Sequence, residues 1–357
     1  LVGLAIVGFY PSLVNYLPNR VNLTSDTAPP PINPRLQVCV EEYLFAEYEQ
    51  TSESLLAAIS TAKSLDVSYL PDRQKNSLKE AFQASDQIFP QVAAIQAASK
   101  ALNAYIPGYR PLHRSTRDVQ ARARRLGAEI KRLTAELRPL ERDGGNESTI
   151  ADLKAEIAEL NAAKTDFESQ VSPKWEAARA TYLNLDKTET TARRKYRRAV
   201  DDTYEPIPKL RKIISHAGNL AALEGQLRKL EGTISSANTK EAIAKAVLEI
   251  RAAEKAFGSI AAASTIKSKV SRARRAMTKR KPEQQKAIKE LKRGLDAFVK
   301  EVTWRKRAAK ELLPGLIAYD DKIKNSIGLR QQERLTSKQA AEIAVCKSFH
   351  RDISLSF

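Results

Sequence analysis

Few side chains in this 357-residue sequence have the types and spacing that catalysis or metal binding requires. The three histidines, His113, His216 and His350, are scattered, and no H-E-x-x-H, phosphate-loop, G-x-S-x-G or dinucleotide-binding glycine motif occurs. Acidic residues stand beside Lys and Arg at helical spacing, which is typical of surface ion pairs rather than of an acid and a base. We therefore expect a protein that is not an enzyme, with no catalytic residues, no cofactor and no metal site.

The two cysteines, Cys39 and Cys346, are the remaining reactive groups and stand near opposite ends of the helical part of the chain. In an oxidising compartment they could form a disulfide that joins the first helix to the last. Both have apolar neighbours, so two separate buried thiols are the alternative. Two such distant cysteines do not suggest a four-ligand metal site.

Positive charge is the main electrostatic feature, because the chain has 60 Lys and Arg but only 42 Asp and Glu, which gives a net charge of +18. Such a field attracts polyanions such as anionic lipid, acidic envelope polymers, acidic protein or nucleic acid, although most basic runs are solvated helix faces. Specific nucleic-acid recognition is not expected, since no zinc-finger spacing or stacking platform accompanies the charge. The candidate polyanion contacts are Arg193, Arg194, Lys195, Arg197, Arg198, Arg272, Arg274, Arg275, Lys279, Arg280 and Lys281.

Helices must position these groups. Only 6% of the residues are aromatic and 13 are Gly, while strong helix formers recur at spacings of three and four residues almost throughout. No convincing strand alternation appears. The sequence predicts an all-α fold, an elongated helical bundle with an antiparallel coiled-coil hairpin.

The hairpin is predicted by an apolar ladder that occurs twice, in opposite order, about Gly144 and Gly145. The alternation of three and four residues is typical of coiled-coil cores, and opposing positions add to 290, so the arms can satisfy each other within one chain. The expected core positions are Val119, Leu126, Ile130, Leu133, Leu137, Leu140, Ile150, Leu153, Ile157, Leu160, Phe167 and Val171. The expected tip, free to contact a partner, contains Pro139, Asp143, Gly144, Gly145 and Asn146. Thr149 and Asp152 resemble a capping box for the return helix.

Residues 1–17 carry no charge and include two tyrosines, which favours a membrane-spanning helix although about 20 apolar residues are usual. The sequence starts at Leu rather than Met, so residues upstream of Leu1 could complete such a span. The alternatives are a buried or partner-docked apolar helix and a signal remnant. Residues 18–34 are polar and contain three consecutive prolines, which predicts an extended linker.

The predicted domains are therefore the anchor 1–17, the linker 18–34, a helical pair 35–106, the coiled-coil hairpin 109–204 with its turn at 143–146, and a basic helical bundle 206–357. We expect a single-pass membrane protein whose body is extracytoplasmic. It would serve as a subunit or accessory factor of a membrane or cell-envelope assembly, with the hairpin as a spacer or docking arm for a protein partner. The alternatives are a polyanion-binding structural protein, such as a virion or nucleoid component, and a helical pore-forming or toxin-like protein.

Overall fold

A computed structural model describes the backbone of residues 11–349 and the side chains of residues 15–349. His350 and ten of the seventeen positions of the predicted anchor lie outside the described residues. Within the described range every regular element is a helix, which confirms the all-α class. No helix in residues 11–349 has both the length and the apolar character needed to cross a bilayer.

The α-helices vary from 6 to 55 residues in length. Two short 3₁₀ helices, Pro34–Leu36 and Leu329–Gln331, occur among them. The α-helices are α1 (Pro11–Thr24), α2 (Gln37–Lys63), α3 (Asp72–Ser85), α4 (Ile88–Arg142), α5 (Glu147–Ser169), α6 (Trp175–Tyr204), α7 (Pro206–Ser215), α8 (Ala217–Ala222), α9 (Glu224–Ser235), α10 (Lys240–Gly258), α11 (Ser264–Met277), α12 (Gln284–Glu311), α13 (Leu313–Ile323) and α14 (Ser337–Phe349).

The described chain divides into two compact units. Unit 1 contains residues 11–88 and 197–349, and unit 2 contains residues 89–196. The predicted domains 35–106 and 206–357 thus contribute mainly to one unit instead of two. Unit 1 is closed by contacts between its two chain segments, since α2 packs against α13 and α14, and α3 packs against α7.

The N-terminal segment of unit 1 differs from the expected extended linker. Helix α1 continues through Pro18 to Thr24, so the linker predicted for residues 18–34 is helical in its first seven positions. Proline removes one backbone donor, but packing can retain the helix. Here α1 packs against α14, and the side chain of Leu23 is buried. Arg334 reinforces this contact by pairing with Asp26 at 2.9 Å.

A hydrophobic core of unit 1 lies among α8 to α12 and consists of Leu, Ile, Val, Phe, Met and many Ala side chains. The alanines of α10 and α11 favour a close approach of these helices, because a methyl group takes little space between two backbones. Phe257 and Phe298 meet edge to face with ring centroids 6.3 Å apart. This core accounts for the apolar stripe that the sequence shows in the basic segment 267–281.

A buried arginine secures the loop between α10 and α11. The fully buried guanidinium of Arg305 binds Glu301 Oε2 at 2.8 and 2.9 Å, and it donates to the carbonyl oxygens of Ala261 at 2.9 Å and Ala262 at 3.2 Å. Ala262 has φ +55°, a left-handed conformation that costs energy for a residue with a Cβ. Arg305 therefore holds the loop in a conformation that the loop sequence alone disfavours.

The break before the long helix α4 falls in an unexpected place. The sequence predicted a boundary between residues 106 and 109, but α4 runs through this segment, including Pro107 and Pro111, as one helix. The chain is instead interrupted before Ile88. At 1.5 Å per residue the 55 residues of α4 span roughly 80 Å. The hairpin region is therefore longer at its N-terminal side than the predicted 109–204.

Candidate functional site

The second half of α4 lies beside α5 in the antiparallel direction that the mirrored ladder predicts. Glu141 pairs with Lys154 at 2.7 Å near the turn, and the Arg122 guanidinium lies 5.8 Å from the centroid of the Phe167 ring farther along. Residue numbers that fall along α4 are therefore matched by residue numbers that rise along α5, as in an antiparallel pair. These contacts establish the direction of pairing, whereas the knobs-into-holes packing of a coiled coil stays a prediction.

Burial along this pair is greatest at its apolar side chains. In α4, Leu133 and Leu137 are buried, and in α5 the side chains between the ladder positions are almost all exposed. In a two-helix pair, each helix contacts only one other helix. Its apolar stripe is therefore expected to be only partly buried. The half-buried positions of α5 are Ile150, Leu153, Ile157, Leu160, Ala163, Lys164 and Phe167.

The tip is a rigidly built turn with exposed side chains. Gly144 has φ +72°, and the Gly145 N–H donates to the Leu140 carbonyl at 2.8 Å. Asn146 caps α5 by accepting a hydrogen bond from the Ser148 N–H at 2.9 Å, so the helix starts before the predicted capping box at Thr149 and Asp152. Asn146 was predicted as a turn residue, whereas its capping role was not predicted.

A local ion pair joins two neighbouring charges at the tip. Arg142 Nε donates to Asp143 Oδ1 at 2.8 Å, and this bond holds the pKa of the Asp143 carboxyl below its ordinary value. Pro139 is exposed and lies within α4, where it did not end the helix. The predicted tip residues thus lie on one exposed turn, whose hydrogen bonds and ion pair are made within the turn and the adjoining helix ends.

The first half of α4 lies beside α6, which extends the hairpin beyond the predicted ladder. Tyr105 donates its hydroxyl hydrogen to the Ala178 carbonyl at 3.0 Å, and Ser99 donates to Glu189 Oε1 at 2.6 Å. Arg193 binds the same carboxylate at 2.6 Å. Helices α5 and α6 therefore return along α4 one after the other, although the predicted ladder ends at Val171.

A cluster of aromatic rings lies near the junction between α5 and α6. The Tyr109 ring is stacked on Tyr182 with centroids 4.7 Å apart and on Trp175 with centroids 5.9 Å apart, and both pairs are within 9° of parallel. Burial raises the pKa of the Tyr109 and Tyr182 hydroxyls. The one sequence signal for this cluster was the spacing of Tyr105, Tyr109 and His113 on one helical face.

The structure separates the predicted polyanion contacts into two groups. Some are engaged in internal ion pairs: Arg193 with Glu189, Arg197 with the buried carboxylate of Glu41, Arg198 with Asp202, Arg272 with Glu290, Arg274 with Glu254 and Lys279 with Glu283. The others are exposed and have no acidic side chain within 4 Å among the described residues. They are Arg194, Lys195, Arg275, Arg280 and Lys281. Sequence alone could not separate the groups, because the acidic partners of Arg197 and Arg274 are distant along the chain.

The two cysteines meet, as one of the two sequence interpretations required. Their sulfur atoms lie 2.12 Å apart, at disulfide distance, and their Cα atoms are separated by 5.5 Å. The pair joins α2 to α14 within unit 1. In the part of the chain that the structure describes, no group of three or more His, Cys, Asp or Glu residues is arranged to hold a metal ion.

No protein-family model, curated protein or solved structure matches this chain. The function must therefore be argued from its own residues. The two features with a geometry suited to recognition are the exposed tip of unit 2 and the unpaired cations of unit 1.

Proposed function

We propose that this protein is a non-enzymatic, single-pass subunit or accessory factor of a membrane or cell-envelope assembly. Residues 1–17 anchor it, and the α4–α5 pair packs as a coiled coil and serves as a spacer or docking arm for a protein partner. The observation that carries the proposal is the tip itself. Its turn is stabilised by its own glycines and by the Asn146 cap, yet its side chains remain exposed for contact.

The dimensions of the pair support a spacer role. Helix α5 has 23 residues and thus reaches about 35 Å along α4 at 1.5 Å per residue. A pair of this length separates its tip from the aromatic cluster around Tyr109 without the backbone entropy of a loop. Charged outer faces make it a poor candidate for membrane insertion, so the pore-forming alternative is the least supported.

An extracytoplasmic body is supported by the Cys39 and Cys346 geometry, because disulfides persist mainly in oxidising compartments. Protease added to sealed spheroplasts of the expressing cells should digest a body on the outer side of the membrane. Digestion only after lysis would place it on the other side and contradict this part of the proposal.

The docking role is tested by exchanging the two tip charges, Arg142→Asp with Asp143→Arg. The exchange keeps the local ion pair and the net charge, so the arm should fold. A partner that binds the tip would, however, contact charges of the opposite sign. The full-length protein, solubilised in mild detergent, should then migrate as a smaller species on a native gel than the wild type.

A matched control exchanges the exposed i,i+4 pair of α9, Glu224→Arg with Arg228→Glu. This control should assemble as the wild type does. If the tip exchange also assembles normally, the arm is only a scaffold and the docking proposal fails. Carbonate extraction tests the anchor separately, since release of the full chain into the soluble fraction would contradict it.

A further inference from the structure

More than half of the net charge of this protein is carried by thirty residues. Residues 264–293 contain twelve Lys and Arg and only two Glu, a net charge of +10 out of +18. They form α11, the following loop and the first part of α12, all in unit 1. We call the outward surface of this segment the basic ridge. Its members are Lys269, Arg272, Arg275, Lys279, Arg280, Lys281, Lys286, Lys289 and Arg293.

Packing brings the cations of the two helices onto one surface. The Glu283 N–H donates to the Ala276 carbonyl at 3.0 Å, so α12 turns back directly along α11. The two helices remain close, because a Cβ placed on Gly294 would lie 3.3 Å from the Cβ of Lys269. Cations on the outward face of α11 therefore lie next to cations on the outward face of α12.

One carboxylate stands among three of these cations. Glu290 is 8% exposed, and it lies 2.5 Å from Arg293, 3.8 Å from Arg272 and 3.9 Å from Lys269. A single negative charge cannot neutralise three positive ones, so the group retains a positive excess at the surface. The buried carboxylate also keeps the three cations close together in spite of their mutual repulsion.

The other cations of the ridge face solvent without such compensation. Arg275, Arg280, Lys281 and Lys289 are exposed, and among residues 15–349 none has an acidic side chain within 4 Å. Folding the protein therefore does not use these four charges. They are available to a partner with many negative charges.

We propose that the basic ridge binds the phosphate headgroups of an anionic phospholipid membrane. This inference rests on the proposed membrane function, because a body tethered to a bilayer meets lipid headgroups at high local concentration. Residues 264–293 contain no aromatic side chain that could stack on a base, which disfavours single-stranded nucleic acid. The cysteine pair at disulfide distance favours a compartment in which lipid is the abundant phosphate polyanion.

The test measures how the full-length chain partitions onto vesicles of two compositions. Phosphatidylcholine vesicles report the apolar N-terminus, and vesicles with roughly 30% phosphatidylglycerol add the anionic surface. The wild type should bind the anionic vesicles at least about tenfold more tightly, and about 0.5 M NaCl should abolish the difference. Substituting Gln for Arg275, Arg280, Lys281 and Lys289 should remove the anionic preference and leave binding to phosphatidylcholine unchanged.

A control with the same loss of charge replaces the exposed residues Lys229, Arg251, Lys255 and Lys322 with Gln, and circular dichroism verifies that both variants fold. Equal loss of the preference in both variants would show that the effect depends only on net charge, and it would overturn the assignment. The assignment would also be overturned if the protein bound a DNA duplex more tightly than the anionic vesicles at the same salt concentration and this binding depended on the ridge. If the anchor fails carbonate extraction while the ridge retains its preference, the membrane-spanning proposal is wrong and the headgroup site stands.

Discussion

The Sγ atoms of Cys39 and Cys346 lie 2.12 Å apart although 307 residues separate them in the sequence. The two residues belong to α2 and α14, so one covalent bond would tie the first part of unit 1 to its last helix. A crosslink that closes so long a loop restricts the unfolded chain strongly. Reduction of this bond should therefore destabilise unit 1.

Replacing both cysteines, Cys39→Ala with Cys346→Ala, should lower the free energy of unfolding by about 3–5 kcal/mol, because the unfolded chain regains its full freedom. Guanidinium denaturation of wild type and variant measures the difference. Adding reductant should destabilise the wild type and leave the variant unchanged. Two free thiols in non-reducing mass spectrometry of the native protein would contradict both the bond and the inference of an oxidising compartment.

Arg305 supports the loop at Ala262 from the centre of unit 1. Arg305→Met keeps much of the apolar side-chain stem but leaves the carbonyl groups of Ala261 and Ala262 without their guanidinium donors, so stability should fall by about 3 kcal/mol. Urea denaturation followed by circular dichroism provides the measurement. Lys306→Met, at an exposed neighbouring position, should change stability by less than about 0.5 kcal/mol. Equal effects of the two substitutions would show that the hydrogen bonds to the loop are unimportant.

Gly328 permits a close approach of the Tyr204 ring. A Cβ at this position would lie 2.5–2.7 Å from three ring carbons, and the ring is held in a buried site. Gly328→Ala should therefore destabilise unit 1 by about 1–3 kcal/mol through overpacking. Gly232→Ala in α9, where nothing lies within 4 Å, should instead stabilise the protein by up to about 1 kcal/mol through helix propensity. Thermal unfolding of both variants measures the contrast, and a stabilising Gly328→Ala would be incompatible with the packing.

The local pattern of the sequence was sufficient to predict the all-α class, and it also placed a turn at Gly144 and Gly145, between α4 and α5. These features depend on residues within one helix or one turn. The proline signals were less reliable, because Pro18, Pro107 and Pro111 all lie inside helices. Tertiary contacts retain those helices at positions where the local signal favours a break.

Long-range partnerships could not be read from one sequence. Nothing near Arg197 indicates that it pairs with Glu41, and nothing near Arg274 indicates Glu254. The sequence likewise could not decide between a disulfide and two buried thiols, because it does not show that α2 and α14 are in contact. Charge counting therefore identified the basic segments but not the cations that remain unpaired, which are the ones relevant to recognition.

His113 should make unit 2 sensitive to mild acid. Burial, followed by the nearby charge of Arg117, lowers the pKa of its imidazole below the ordinary value of 6.5. The unfolded chain therefore binds the proton more readily than the folded one. The stability that comes from the neutral imidazole is fully present above pH 6.5 and is lost as the pH falls through the lower pKa of the folded state.

His113→Gln removes this titration. Between pH 7.5 and pH 5 the wild type should lose more unfolding free energy than the variant, so the difference between them should change in that interval and be constant above it. Denaturation at several pH values measures the difference, and in a Trp304→Phe background the fluorescence of Trp175, which lies beside His113, is a local probe of unit 2. A constant difference over the whole range would show that His113 has the same pKa in both states.

The α4–α5 pair should depend on Leu133, which is 2% exposed. Leu133→Asp would bury a carboxylate with no partner, which should cost about 4 kcal/mol or more and open this pair locally. Limited proteolysis should then cut between residues 120 and 165 much faster than in the wild type, while α2 and α14 remain protected. Ala135→Asp introduces the same charge at an exposed position two residues away and should leave the cleavage rate nearly unchanged. Because the two substitutions share helix, charge and propensity, equal protection in both would mean that the apolar ladder does not hold the arm together.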